Sequence, residues 1–190
     1  MRTRFEPQKH HRRSIRLKQY DYTQPGGYFV TIVTCHRDCL FGEIVNERMQ
    51  LNEFGCIADE CWRAIPDHFP NVELGAYVIM PNHMHGIIVI TDRADQNGMA
   101  TNSSPFVGAQ HAAPLQEPNV KPGSLGAFVR SFKSAVTRRL GRELNATGIW
   151  QRNYYEHVIR NHADWDRIQR YITSNPSLWA EDEENPTKHP

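Results

Sequence analysis

The segment Tyr77-Val78-Ile79-Met80-Pro81-Asn82-His83-Met84-His85-Gly86-Ile87-Ile88-Val89-Ile90 reads as two β-strands joined by a tight Pro-Asn turn. Residues i and i+2 of a strand point to the same face. His83 and His85 therefore project side by side, about 6–7 Å apart along the strand. Two imidazoles so placed are half of a divalent-metal site, and the other half has to come from elsewhere in the chain.

At 190 residues the chain is expected to form one domain with a core of its own. It has no apolar run of about 18 residues, so no transmembrane helix is predicted. The basic N-terminus lacks the apolar stretch of a secretory signal. Cys35, Cys39, Cys56 and Cys61 suggest reduced thiols in a cytoplasmic protein, and their spacings are not those of a zinc site. The formal net charge of +1 conceals an asymmetry. Residues 1–18 hold seven Arg and Lys against Glu6, a local +6, so the remainder carries −5. A basic arm on a nearly neutral body suggests a polyanionic partner, nucleic acid first among them.

Outward from the histidines, residues 1–24 read as an extended basic arm carrying Tyr20 and Tyr22. Tyr28 to Cys35 (YFVTIVTC) is β-branched and aromatic, a strand expected to be covered on both faces. Residues 40–51 suggest an edge hairpin. Asn52 to Ile65 reads as a helix capped by Asn52 and stopped by Pro66, and Val72 to Met80 as the strand preceding the histidine strand. Residues 92–122 hold two glycines and four prolines with no periodicity, and read as a mobile insertion. Ser124 to Leu144 is amphipathic, with Leu125, Phe128, Val129, Phe132, Val136 and Leu140 on one stripe. Arg130, Lys133 and Arg138 lie outside it, as a basic groove wall would. Residues 154–160 form a further strand. Asp164 starts the last helix, Pro176 closes it, and an acidic tail is expected to be ragged beyond Trp179.

With the edge hairpin set aside, this is β-α-β-β-α-β plus a terminal helix. The expectation is an α+β, ferredoxin-like split βαβ fold: an antiparallel sheet with helices on one face, an edge hairpin and a C-terminal catalytic helix. The histidine strand is central in that plan. In the last helix Tyr171 and Asn175 stand four residues apart, on one edge of the apolar stripe of Trp165, Ile168 and Ile172. Asn175 precedes proline, which disfavours helical geometry at that residue.

YVIMPNHMHGIIVI, IWQRNYYEHVIRN and RYITSNP in this order, with YFVTIVTCHRDCLFG in support, resemble the single-tyrosine HUH transposases and, among them, the bacterial REP-associated tyrosine transposases. The similarity spans about 28–179, apart from 92–122, as one catalytic domain (25–179) between the arm (1–24) and the tail (180–190). The resemblance implies metal ligation by His83 and His85, completed by Asn175, with Mg2+ or Mn2+ as the metal. It implies Tyr171 as the nucleophile, with Tyr155 as the fallback, and a supporting role for Glu156 and His157. It further implies cleavage and joining of single-stranded hairpin DNA through a 5′-phosphotyrosine link, by a monomer or else a dimer, in the nucleoid. Arg12, Arg13, Arg16, Arg130, Lys133, Arg138 and Arg160 are the expected backbone contacts, and Trp150 and Tyr154 candidate base-stacking residues. On the residues alone two other readings stay open: a hairpin-binding domain without catalysis, and a metal-dependent hydrolase that uses water.

Overall fold

The computed structural model describes Leu17 and residues 20–92 and 120–186. Most of the arm, including Arg12, Arg13 and Arg16, and nearly all of the 92–122 insertion lie outside the described residues.

Strand β1 (Gly26–Val33) is followed by a hairpin of β2 (Gly42–Val45) and β3 (Arg48–Leu51). Helix α1 (Glu53–Arg63) and the single turn α2 (Ile65–His68) lead to β4 (Val72–Ile79) and β5 (His83–Ile90). Helix α3 (Leu125–Leu144), β6 (Tyr155–Ile159) and α4 (His162–Ser174) complete the order, and a 3-10 helix (Asn175–Glu181) extends α4. The four long strands form an antiparallel sheet in the order β4-β5-β1-β6. This is the split βαβ arrangement, with β1 and β5 at its centre. The hairpin forms its own two-stranded sheet.

Side chains alternate across this sheet. Tyr28, Val30, Ile32, Met84, Ile88 and Ile90 pack with α1 and α3 in the main core. Phe29, Ile87 and Val89 face the other way, onto Ile168, Ile172 and Trp165 of α4. The helices between the strands thus share one face, and the C-terminal helix takes the opposite face alone. His83 and His85 share parity with Ile87, so they lie on the α4 face.

Two glycines set how closely the helices approach. A Cβ on Gly86 would lie 2.4 Å from the ring of Trp62, a fully buried α1 side chain. A Cβ on Gly75 would come within 2.9 Å of Ile87 and 3.3 Å of Trp165, where the β4–β5 register shifts. Gly86→Val is accordingly expected to destabilise the fold by about 3 kcal/mol, the upper range for overpacking a core. Urea unfolding measures this.

Element ends differ from expectation in three places. Pro66 does not end the helical path; it sits in the first turn of α2, where its missing N–H costs nothing. Helix α4 begins two residues earlier than Asp164, because the Asn161 side chain accepts from the Asp164 N–H at 2.9 Å and so is the N-cap. Asn175 is helical (φ −57, ψ −40) despite the proline after it. Tertiary packing of the buried Asn175 overrides the local preference, and the chain runs on into the 3-10 helix without a break.

Residues 180–186 also pack against the body. Asn185 is buried and donates to the Trp179 carbonyl at 2.8 Å. Arg37 pairs with Glu184 at 2.6 Å. At the other end Tyr20 and Tyr22 group their rings with buried Tyr28, so these aromatics of the arm belong to the core.

Candidate metal and nucleophile site

The β1–β5 and β1–β6 registers align Tyr155, Thr31 and His85 in one row across three strands. Thr31 Oγ1 bonds His85 Nδ1 at 2.8 Å. His83 Nδ1 lies 2.9 Å from Asn82 Oδ1. The orientation of that amide follows from its other end: Asn82 Nδ2 donates to the carbonyls of Arg37 (3.0 Å) and Glu184 (2.6 Å). Its oxygen must then accept, His83 Nδ1 carries the proton, and His83 Nε2 keeps its lone pair.

That lone pair points into the site. His83 Nε2 and His85 Nε2 are 3.1 Å apart, and both rings are buried. Burial pushes His83 down to about 4, with the Asp182 carboxylate working in the opposite direction. Burial, and then His83 itself, hold His85 well below the usual histidine value. Both rings are therefore neutral at neutral pH, the form that ligates metals.

Helix α4 brings Tyr171 over this pair. Trp165 seats the helix beside Gly27 and Gly75, and Ile168 and Ile172 bury its inner stripe. The Tyr171 hydroxyl lies 3.2 Å from His85 Nε2, and its ring meets those of His85 at 5.0 Å and Phe29 at 6.0 Å. The side chain remains 43% exposed, so one side of it is open to a substrate. Burial raises the phenol above its usual value, Asp182 adds to that, and a hydrogen bond from Asn175 opposes it.

The residue that follows the 3-10 helix is a further candidate ligand that sequence reasoning missed. Asp182 reaches back so that its Oδ2 is 3.9 Å from His83 Nε2, while its Oδ1 accepts from the Glu184 N–H at 2.7 Å. One ligand atom each from His83, His85 and Asp182 falls within 4.8 Å of the others. Among the described residues this is the one such grouping of His, Cys, Asp or Glu. Asn175 Oδ1 is buried with no hydrogen-bond partner among the described residues. The His83 Nε2 lone pair, the facing His85 Nε2 and the Asp182 carboxylate, with the orphaned Asn175 amide oxygen four residues from Tyr171, are donors of the kinds that fit a divalent cation such as Mg2+ or Mn2+. Asp182 gave no local signal. It sits in an acidic run after a proline, a pattern that reads as a solvated tail.

The remaining sequence-based candidates fall in several places. His157 lies on the α4 face of the edge strand and bonds Asp164 at 2.7 Å, with Arg167 on the other carboxylate oxygen. This cluster fastens the start of α4 to the sheet, and Glu156 has the opposite parity. The His157 hydrogen bond, then Arg167, holds Asp164 down to about 2. A depressed carboxylate stabilises the fold above its unfolded value of 3.8, and that contribution disappears as pH falls through about 2. Asp164→Asn is expected to cost about 0.5–1 kcal/mol at neutral pH, as for an exposed ion pair. The gap between variant and wild type should close between pH 3.8 and 2 in paired urea titrations.

Arg130, Arg138 and Arg160 are exposed, but α3 lies across the sheet from the histidines. Lys133 is turned inward: burial pushes its ammonium down to about 8, and it donates to the carbonyls of Gln151 (2.5 Å), Asn153 (3.4 Å) and Arg152 (3.5 Å). It holds the loop before β6. Trp150 packs against Phe41 and Phe132, a core position. Tyr155, the fallback nucleophile, is exposed on the edge strand.

No protein-family model matches the chain. An uncharacterized Haemophilus influenzae protein is 41% identical over 183 residues, covering 96% of this chain and 98% of that protein. A second Haemophilus influenzae protein, provisionally named a REP-associated tyrosine transposase, is 27% identical over 157 residues, 82% of this chain and 73% of its own length. Among solved structures, a REP-associated tyrosine transposase bound to a REP hairpin matches with a TM-score of 0.54 at 19% identity, covering 90% of this chain and 77% of that one. That likeness is one of fold. Both named matches carry the family name that the motifs suggest.

Proposed function

Because this chain belongs to one family with the Haemophilus influenzae protein 41% identical to it, and has the fold of a REP-associated tyrosine transposase, we propose that it cleaves and rejoins single-stranded DNA at hairpins of the REP type through a covalent 5′-phosphotyrosine intermediate. The observation that carries the reading is the Tyr171 hydroxyl 3.2 Å from His85 Nε2, in a site where two neutral histidines and a carboxylate converge.

In this reading His83, His85 and Asp182 hold the divalent cation, with Asn175 Oδ1 the further oxygen available to it. The cation supplies charge neutralisation and orientation for the scissile phosphate. Tyr171 Oη attacks phosphorus. A P–O bond to tyrosine forms, the bond to the 3′ oxygen breaks, the phenol proton leaves to solvent or a nearby base, and the 3′ oxygen leaves as a hydroxyl. The phosphodiester is conserved, so a 3′-hydroxyl on the same or another strand can reverse the step and join. Asn175 orients the phenol, while His85 is fixed through Thr31 and His83 through Asn82. A single chain supplies both the histidine pair and the tyrosine, which supports action in cis by a monomer. The REP hairpin held by the solved relative supports the choice of DNA.

The test is incubation with hairpin oligonucleotides labelled at the 5′ or the 3′ end, with Mn2+, followed by a denaturing gel. A covalent adduct carrying the 3′ fragment is the expected result. Cleavage without adduct would replace this reading by water-based hydrolysis, and binding without cleavage by a non-catalytic hairpin-binding domain.

A further inference from the structure

The row Tyr155–Thr31–His85 places an aromatic ring beside the site that the reaction does not use. Tyr155 is the first residue of the edge strand β6, on the same sheet face as His85 and Tyr171. It is 46% exposed, and among the described residues its side chain has no hydrogen bond, ion pair or ring contact. The preceding residue, Tyr154, packs against the main core, whereas Tyr155 belongs to neither hydrophobic cluster. Between Tyr155 and His85 in this row stands Thr31, a small side chain bonded to His85 Nδ1. Strands pack about 4.8 Å apart, so the backbones of Tyr155 and His85 are about 10 Å apart. On this face the exposed Tyr155 ring therefore stands one strand beyond buried Thr31, and the His85 ring with the half-exposed Tyr171 above it stands on the other side.

We propose that Tyr155 is the stacking platform for one unpaired base of the nucleotide adjoining the scissile phosphate, and so a specificity-determining residue that selects a single-stranded flank at the cleavage point. The inference rests on the DNA-cleaving reading above. With a phosphate at the histidine pair, a neighbouring base turned toward β6 meets the exposed ring of Tyr155 in the same row. A base kept in a duplex cannot turn its face to that ring. Stacking of this kind tolerates any base identity, since every base offers a π-face. The platform therefore reads unpairedness rather than sequence.

The experiment measures equilibrium binding of fluorescent hairpins by the full chain carrying Tyr171→Phe, which prevents covalent capture. Three probes are used: a hairpin with a single-stranded flank, the same hairpin with an abasic site walked through the flank, and the blunt hairpin. In that background Tyr155→Ala is expected to weaken binding of the flanked hairpin about tenfold, and Tyr155→Trp to remain within twofold of the parent. One abasic position is expected to cost the parent a similar factor and to cost Tyr155→Ala nothing further. All three proteins are expected to bind the blunt hairpin equally. Two results overturn the proposal while leaving the DNA-cleaving reading intact: Tyr155→Ala within twofold of the parent on the flanked hairpin, or a Tyr155→Ala loss that is the same on every abasic probe. Failure of the parent to bind any hairpin overturns both.

Discussion

Tyr171→Phe is expected to abolish the covalent protein–DNA adduct, lowering its rate of formation by three orders of magnitude or more, the scale on which removal of an essential nucleophile acts. The substitution deletes one oxygen and leaves the ring, so the contacts with Phe29 and His85 persist. The hydroxyl's hydrogen bonds with His85 Nε2 and Asn175 are lost, each worth about 0.5–1.5 kcal/mol, and the variant should fold and bind DNA. Tyr155→Phe is the control. Tyr155 is exposed and separated from His85 by Thr31, so the adduct should form at the wild-type rate, and the retained ring keeps the proposed stacking surface. An adduct that survives Tyr171→Phe and disappears in Tyr155→Phe would reverse the assignment. The denaturing gel reads both variants in one experiment.

Removing the divalent cation has the second large effect. Chelation is expected to stop adduct formation, and excess Mn2+ to restore it, without unfolding the protein. The binding itself is measurable apart from activity. A cation that binds only the folded state stabilises it by about 2.7 kcal/mol at one hundred times its dissociation constant, so Mn2+ should raise the melting temperature of the wild type. His85→Ala should erase that rise, since it removes one of two converging imidazoles from a buried site. Asp182→Asn separates the two candidates for the oxygen ligand. It keeps the side chain's shape and removes its charge, and is expected to weaken Mn2+ at least tenfold, comparable with or larger than the loss of an outer-shell partner. If Asn175→Ala weakens the cation that strongly and Asp182→Asn does not, the oxygen ligand is the one expected from the motifs and Asp182 is a neighbour only.

Much of the site was legible along the chain because it depends on short periods. The two-residue repeat of a strand puts His83 and His85 on one face whatever packs above them. The four-residue repeat of a helix puts Tyr171 beside Asn175, and the order of strands and helices selects the sheet in which the histidine strand is central. Asn52 was legible as a cap because a cap is a local contact; it accepts from a backbone N–H three residues on, as Ser124, read as the start of its helix, also does. Where local preference misled, a long-range contact prevailed. Asn175 stays helical before Pro176 because its side chain is buried at the site. Lys133, read as a DNA contact from its place outside the apolar stripe, is drawn inward by three carbonyls some twenty residues away.

The sequence by itself determined the elements, their order, the imidazole pair and the tyrosine helix, since each rests on interactions between residues a few positions apart. Only the tertiary structure decided the rest. Thr31 meets His85 through the register of two strands more than fifty residues apart, and Asn82 is oriented by a carbonyl from Glu184, one hundred and two residues on. Asp182 enters the site because the chain turns back after α4. No period along the chain encodes such contacts; they exist because β5, β1 and the C-terminal segment bury polar groups together, and buried polar groups must find partners wherever the fold supplies them.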